Sequence, residues 1–166
     1  MSQDFNSILS EYGALLSRVA TSYEANHHLR QELLQEISLA VWQSLRTFKG
    51  DSSLKTYILR VAHNRAISHV AYHIKTPKSA SYCEMTQASP SPTASSETTM
   101  AQQQQVTTLL NEVRKLPIQT RQIVTLSMEG LSYQDIAEVC GIKVTNVGVI
   151  LNRSKKVLLE AIKHEQ

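Results

Sequence analysis

The chain has 166 residues, of which 42% are apolar and 5% aromatic, and a formal charge of +3. That length suits one medium domain or two small ones. The mild charge means that any nucleic-acid surface must be local rather than global. No stretch approaches the length of a membrane span, and the N-terminus lacks a basic run followed by an apolar core, so a cytoplasmic location is expected. Five glycines among many Leu, Ala, Gln and Glu residues favour helix over sheet. Cys83 and Cys140 stand too far apart for a metal spacing, and read as a linker thiol and a small turn residue.

Three helical stretches are predicted in the first half. The first runs from about Ser2 to Tyr23. Asn26 is a plausible N-cap for the second, which runs to about Thr47 with Leu29, Leu33, Ile37, Val41 and Leu45 on one face. Phe48-Lys49-Gly50-Asp51 interrupts the pattern, and Asp51 or Ser52 can cap a third helix reaching about Lys75. Leu54, Ile58, Val61 and the stem of Arg65 are expected on its inner side. The same helix carries Lys55, Arg60, His63, Asn64 and Arg65, with Tyr57 and Tyr72 nearby; aromatic rings among basic groups suit stacking on unpaired bases. The loop before it is either a capped turn or a set of outward N–H groups able to hold an anion or an extruded base. His69 and His73 stand one turn apart, yet no third ligand accompanies them, so no metal is expected. His27 and His28 read as exposed residues near a helix start.

Residues 76–101 are rich in Ser, Thr and Pro and poor in large apolar side chains. They read as a flexible linker, with an extended segment that orders on a partner as the alternative. Beyond them, a helix is expected over about Gln102 to Lys115, and another restarted by Pro117 and ending near Gly130. Ser132 to Asp135 approximates a capping box for a short helix, SYQDIAEVC. Gly141 suits a left-handed turn, and a last helix spans about Lys143 to Lys163. Small Ala137 at the crossing, with Ile136, Ile142, Val147 and Leu151 in the wedge, makes the last two helices a helix-turn-helix. Its second helix would present Lys143, Thr145, Asn146, Val149, Asn152, Arg153 and Lys156 to a major groove. Thr145, Asn146 and Asn152 offer base-edge donors and acceptors, while Arg153, Lys155 and Lys156 fit phosphate contacts.

Two stretches together resemble a known family. ELLQEISLAVWQSLRTFKGDSSLKTYILRVAHNRAISH resembles region 2 of extracytoplasmic-function sigma factors, and LPIQTRQIVTLSMEGLSYQDIAEVCGIKVTNVGVILNRSKKVL resembles their region 4. Their order and spacing, with no intermediate domain, agree. The resemblance implies an all-α fold of two small helical domains, region 2 at 1–75 and region 4 at 102–166, joined by the linker. It implies docking of Glu32, Gln35, Glu36, Leu39 and Trp42 on the clamp helices of the largest subunit of RNA polymerase, with Trp42 equally suited to the core. Phe48, Lys49, Gly50, Asp51 and Ser52 would take up a flipped base of the −10 element, with Lys55, Arg60 and Asn64 along the melted strand. The C-terminal helix would read the −35 element as duplex, with region 4 resting on the polymerase flap. The expected partners are therefore core RNA polymerase, promoter DNA and an anti-sigma factor. No cofactor is implied, and neither a P-loop nor a catalytic constellation suggests an enzyme. Lys143 replaces the Ser or Thr that opens the recognition helix in many relatives, and Gly148 and Ile150 replace basic residues, so the −35 contacts are expected to differ. A duplex-binding regulator and a partner-sequestering sigma mimic are the competing readings.

Overall fold

A computed structural model describes residues 4–75 and 97–164. These form seven helices: α1 (Phe5–Tyr23), α2 (His27–Leu45), α3 (Leu54–Lys75), α4 (Glu97–Lys115), α5 (Ile118–Met128), α6 (Tyr133–Cys140) and α7 (Val144–His164). The expected linker falls largely outside the described residues. Its last five positions, 97–101, belong to α4, which therefore starts about one and a half turns earlier than the composition suggested. Ser/Thr content weakens a helix only modestly, and the downstream apolar face can carry the first turns with it.

The N-terminal half is a bundle of α1, α2 and α3. Periodic apolar residues account for it: Ile8, Leu15, Leu16 and Val19 on α1 and Leu33, Ile37 and Val41 on α2 are buried against Ile58, Leu59, Ala62 and Ala66 of α3. Each large side chain so buried contributes about 1.5–3 kcal/mol. Asn26 caps α2 as predicted, its side chain accepting from the Leu29 N–H at 3.0 Å. The cap of α3 is Ser53 rather than Asp51 or Ser52, its Oγ accepting from the Thr56 N–H at 3.1 Å.

Two expectations for α3 are corrected. Its inner face passes through Leu59, Ala62, His63 and Ala66, whereas Arg65 is exposed and pairs with Glu36 of α2 at 3.2 Å. His63, grouped by sequence with the basic surface, is fully buried. The burial of His63 follows from α3 packing on α1 and α2 at once, which widens its buried stripe. Arg65 lies at the edge of that stripe, where its guanidinium reaches Glu36 and water.

The C-terminal half packs α4, α5, α6 and α7 around Val113, Leu116, Ile123, Leu126, Ile136, Val147 and Leu151. Pro117 occupies the N-cap of α5, so its missing N–H costs no intrahelical bond. Ser132 caps α6 by accepting from the Asp135 N–H at 3.1 Å, and Gly141 ends α6 at φ +70°.

Candidate nucleic-acid interface

The loop between α2 and α3 folds around two aromatic rings. Phe48 and Tyr57 lie 4.6 Å apart, and the Tyr57 hydroxyl donates to the Ser44 carbonyl at 2.7 Å, which ties the start of α3 to the end of α2. Gly50 turns the chain at φ +80°, a region costly for residues with a Cβ. The result is a small cleft of about 120 Å³ whose walls include Phe48, Lys49, Asp51, Ser52, Tyr57 and Arg60. Lys49, Gly50 and Asp51 are exposed, and Phe48 and Ser52 are half-buried. Asn64 is exposed farther along α3. Thus Phe48, Lys49, Asp51, Ser52 and Arg60 are brought together while Gly50 turns the chain between them, Asn64 stands apart from the cleft, and Lys55 is turned elsewhere.

The helix-turn-helix has the expected wedge. Ile136, Ala137, Val147 and Leu151 are buried where α6 and α7 meet, and Ile142 is partly so. Thr145, Asn146, Val149, Asn152, Arg153 and Lys156 are all exposed on α7. Lys143 stands at the N-cap position, where its carbonyl accepts from the Asn146 N–H at 3.0 Å. Having no side-chain acceptor, it leaves part of the first turn without a cap bond. Gly148 lies under the ring of Tyr133 from α6; a Cβ built there would meet the Tyr133 Cε2 at 3.5 Å. Sequence reasoning did not single out Tyr133.

Glu32, Gln35, Glu36, Leu39 and Trp42 form one exposed stripe on the outer side of α2. Trp42 keeps 38% of its surface exposed, with Phe5 packed at 6.1 Å on one side and Arg46 over its ring at 4.5 Å. It is therefore a surface residue held in place rather than part of the core. His69 pairs with Glu24 at 3.0 Å, and its ring lies tilted against that of His73 with centroids 4.2 Å apart. Among the described residues no group of three or more His, Cys, Asp or Glu side chains is arranged to hold a metal.

The two halves touch through contacts that no local pattern announces. Arg18 of α1 grips Glu129 at the end of α5 through two hydrogen bonds, 2.7 and 3.0 Å. That bond to Glu129 raises the pKa of Arg18 above its ordinary value. Lys55 donates to the Glu129 carbonyl at 2.7 Å, where the last turn of a helix favours a cation. Arg114 donates to the Thr21 carbonyl at 2.9 Å. Beneath them, Tyr23 Oη and His63 Nδ1 share a 2.7 Å hydrogen bond, and Arg121 of α5 lies 5.7 Å from the Tyr23 ring. Burial pushes the Tyr23 phenol up and the His63 imidazole down, the latter to about 3. His63 Nε2 has no hydrogen-bond partner among the described residues, so a charged ring would be doubly unfavourable there. Glu138 of α6 closes one side of the loop cleft. An apolar groove of about 280 Å³ separates α1 from α4 and α5 above this buried pair.

Comparison with known proteins accounts for both halves. Residues 8–74 match the family model for sigma-70 region 2, and residues 107–158 match that for sigma-70 region 4. A Haemophilus influenzae protein described as an ECF RNA polymerase sigma-E factor is 23% identical over 163 residues, 93% of this chain and 85% of the relative. The RNA polymerase sigma-H factor of Pseudomonas aeruginosa is 29% identical over 140 residues, 80% of this chain and 72% of the relative. Among solved structures, the sigma factor RpoE of Bartonella quintana, crystallised with the anti-sigma factor NepR, superposes with a TM-score of 0.74 at 20% identity, covering 99% of both chains. CnrH, solved with the cytosolic domain of CnrY, superposes at 0.68 with 16% identity over 98% of this chain and 89% of that one. With both sigma-70 regions matched in order over most of its length, the chain belongs to the sigma-70 family, as a sigma factor of the extracytoplasmic-function kind.

Proposed function

We propose that this chain binds core RNA polymerase and directs it to promoters, with the loop cleft before α3 capturing an unpaired base of the −10 element and the exposed face of α7 reading the −35 element as duplex. The observation that carries this reading is the presence, on one chain, of two readers of different form. A cleft of about 120 Å³ lined by Phe48, Tyr57, Lys49 and Arg60 suits a single extruded base. A helix exposing Thr145, Asn146, Asn152 and Arg153 suits a major groove.

Region 2 (residues 1–75) then supplies strand separation. Holding an unstacked base offsets part of the few kcal/mol that unstacking costs. Lys49, Gly50, Asp51 and Ser52 shape the cleft rim, Phe48 and Tyr57 offer ring faces, and Arg60 and Asn64 follow the displaced strand; Lys55, held on the Glu129 carbonyl, joins them only if that bond opens. The outer stripe of α2, Glu32 through Trp42, docks on the polymerase clamp; its mixed polar and apolar character fits a protein interface. Region 4 (residues 102–166) positions itself through Lys143, Arg153 and Lys156 on phosphates and reads bases through Thr145, Asn146, Val149 and Asn152.

Core RNA polymerase and promoter DNA are the partners, and an anti-sigma factor is a third, as the neighbours RpoE and CnrH were solved bound to NepR and CnrY. The protein acts in the cytoplasm as a binding factor and catalyses no reaction of its own. The described helices include none long and apolar enough to cross a membrane.

The test is run-off transcription with core polymerase on a promoter library. Promoter-dependent transcripts that require the chain are expected, with Asn64→Ala lowering strand opening and Arg153→Ala lowering duplex engagement. Failure to bind core polymerase in a pull-down would overturn the reading.

A further inference from the structure

The reading face of α7 is unusual in what it lacks. From Val144 through Asn152 the helix carries no charged side chain. These are its first two turns, the part that a helix-turn-helix sets deepest in the major groove. Arginine or lysine paired to the O6 and N7 of guanine is the commonest way to specify a G·C pair, and that means is absent here. Asparagine instead matches the N6 and N7 of adenine, and apolar groups match the thymine methyl. Asn146, Asn152 and Val149 supply those chemistries, with 47% of Val149 exposed.

Gly148 sits in the middle of the same stripe, between Thr145 and Asn152 on successive turns. With no side chain of its own, it leaves a gap, and Tyr133 fills it. The Tyr133 ring lies 3.5 Å from where a Cβ would stand, while 45% of the residue stays exposed. Tyr133 opens α6, and its neighbour Ser132 fixes that first turn through the Asp135 N–H. The ring is thus pinned at its base and seated on the glycine, an apolar plate at the edge of the reading face.

We propose that this helix-turn-helix selects a −35 element weighted toward A·T pairs, and that Tyr133, seated on Gly148, is a specificity-determining residue that packs against a thymine methyl. This rests on the reading of α7 as the −35 helix given above. Tyr133 takes over the position that a recognition-helix side chain would occupy, and Gly148 makes room for it. Arg153 directly follows Asn152 and Lys156 lies one turn farther along; both hold phosphates and set register.

The experiment is transcription by core polymerase with the full chain on promoters randomised across the −35 element, followed by sequencing of the transcribed templates. Wild type should enrich A·T pairs over the positions faced by the first two turns. Tyr133→Ala should lower the preference for thymine at one pair by about fourfold, the worth of one buried methyl group. Tyr133→Phe, which keeps the ring, should retain it. Gly148→Arg should displace the ring and turn the preference at that pair toward guanine. Enrichment of G·C pairs by wild type would overturn the proposal. So would a Tyr133→Ala variant that weakens all promoters equally, since that marks a phosphate contact only. If Asn152→Ala also left the enriched sequence unchanged, the reading of α7 itself would fall; an effect of Asn152→Ala without one of Tyr133→Ala would overturn the role of Tyr133 alone.

Discussion

His63 gives the molecule a dependence on pH whose sign and size follow from its position. The ring is fully buried, and burial lowers its pKa from 6.5 to about 3. The unfolded chain therefore binds a proton between those values that the folded protein refuses. Stability is fully present above pH 6.5 and is lost as pH falls from about 6.5 toward about 3. Each pH unit inside that window costs about 1.4 kcal/mol, so at pH 5 the loss from this one residue is about 2 kcal/mol, a large share of a typical domain's stability. Urea denaturation followed by circular dichroism at several pH values between 7.5 and 5 measures it. His63→Gln cannot take up the proton, so its stability should fall less steeply with acid by about that amount, whatever its stability at neutral pH. The other five histidines are common to both proteins and cancel in the difference. Coincident pH slopes, or a His63 imidazole that titrates near 6.5 by NMR in the folded protein, would refute a neutral buried ring as the source of this dependence.

Three further outcomes are expected. Asn26→Ala removes the side chain that accepts from the Leu29 N–H and should cost about 1 kcal/mol in a denaturant titration. Gly141→Ala forces a Cβ into a backbone at φ +70° and should cost about 1–2 kcal/mol, seen as a lower midpoint in thermal unfolding; open space around the site means that the strain is in the backbone alone. Arg153→Ala should reduce the salt dependence of promoter binding by the polymerase complex by about one unit of slope, with little change in which sequences are preferred.

The helices were legible because each needs only local signals. Asn26, Ser132 and Gly141 fix three ends through groups within four residues of them, and the apolar spacing on α2 marks its buried face. The helix-turn-helix was legible for the same reason, since its crossing, turn and wedge lie within twenty residues. The N-terminal half was harder. Its loop reads as a turn until Phe48 and Tyr57 are seen ring against ring, and only the family resemblance suggested its use. His63 does not read as a core residue because two neighbouring helices bury α3 on a broader arc than one face, and the exposure of Arg65 depends on Glu36 in another helix. Tyr23, forty residues from His63, supplies the hydrogen bond that makes a buried imidazole tolerable, and no spacing rule reveals such a partner. Tyr133 was missed because its meaning depends on the absence of a side chain at Gly148.

Arg18 and Glu129 are separated by 111 residues, and this sets an order of events during synthesis. At about 5–20 residues per second, Glu129 follows Arg18 from the ribosome by about 6–22 s. The contacts inside the N-terminal bundle are already available by then, because α1, α2 and α3 precede it in the chain. A nascent sigma factor therefore passes through an interval in which its first half is whole while Lys55 has no Glu129 carbonyl to accept its hydrogen bond. During that interval the ammonium group faces water and any nucleic acid within reach. The arrival of α5 is what withdraws it.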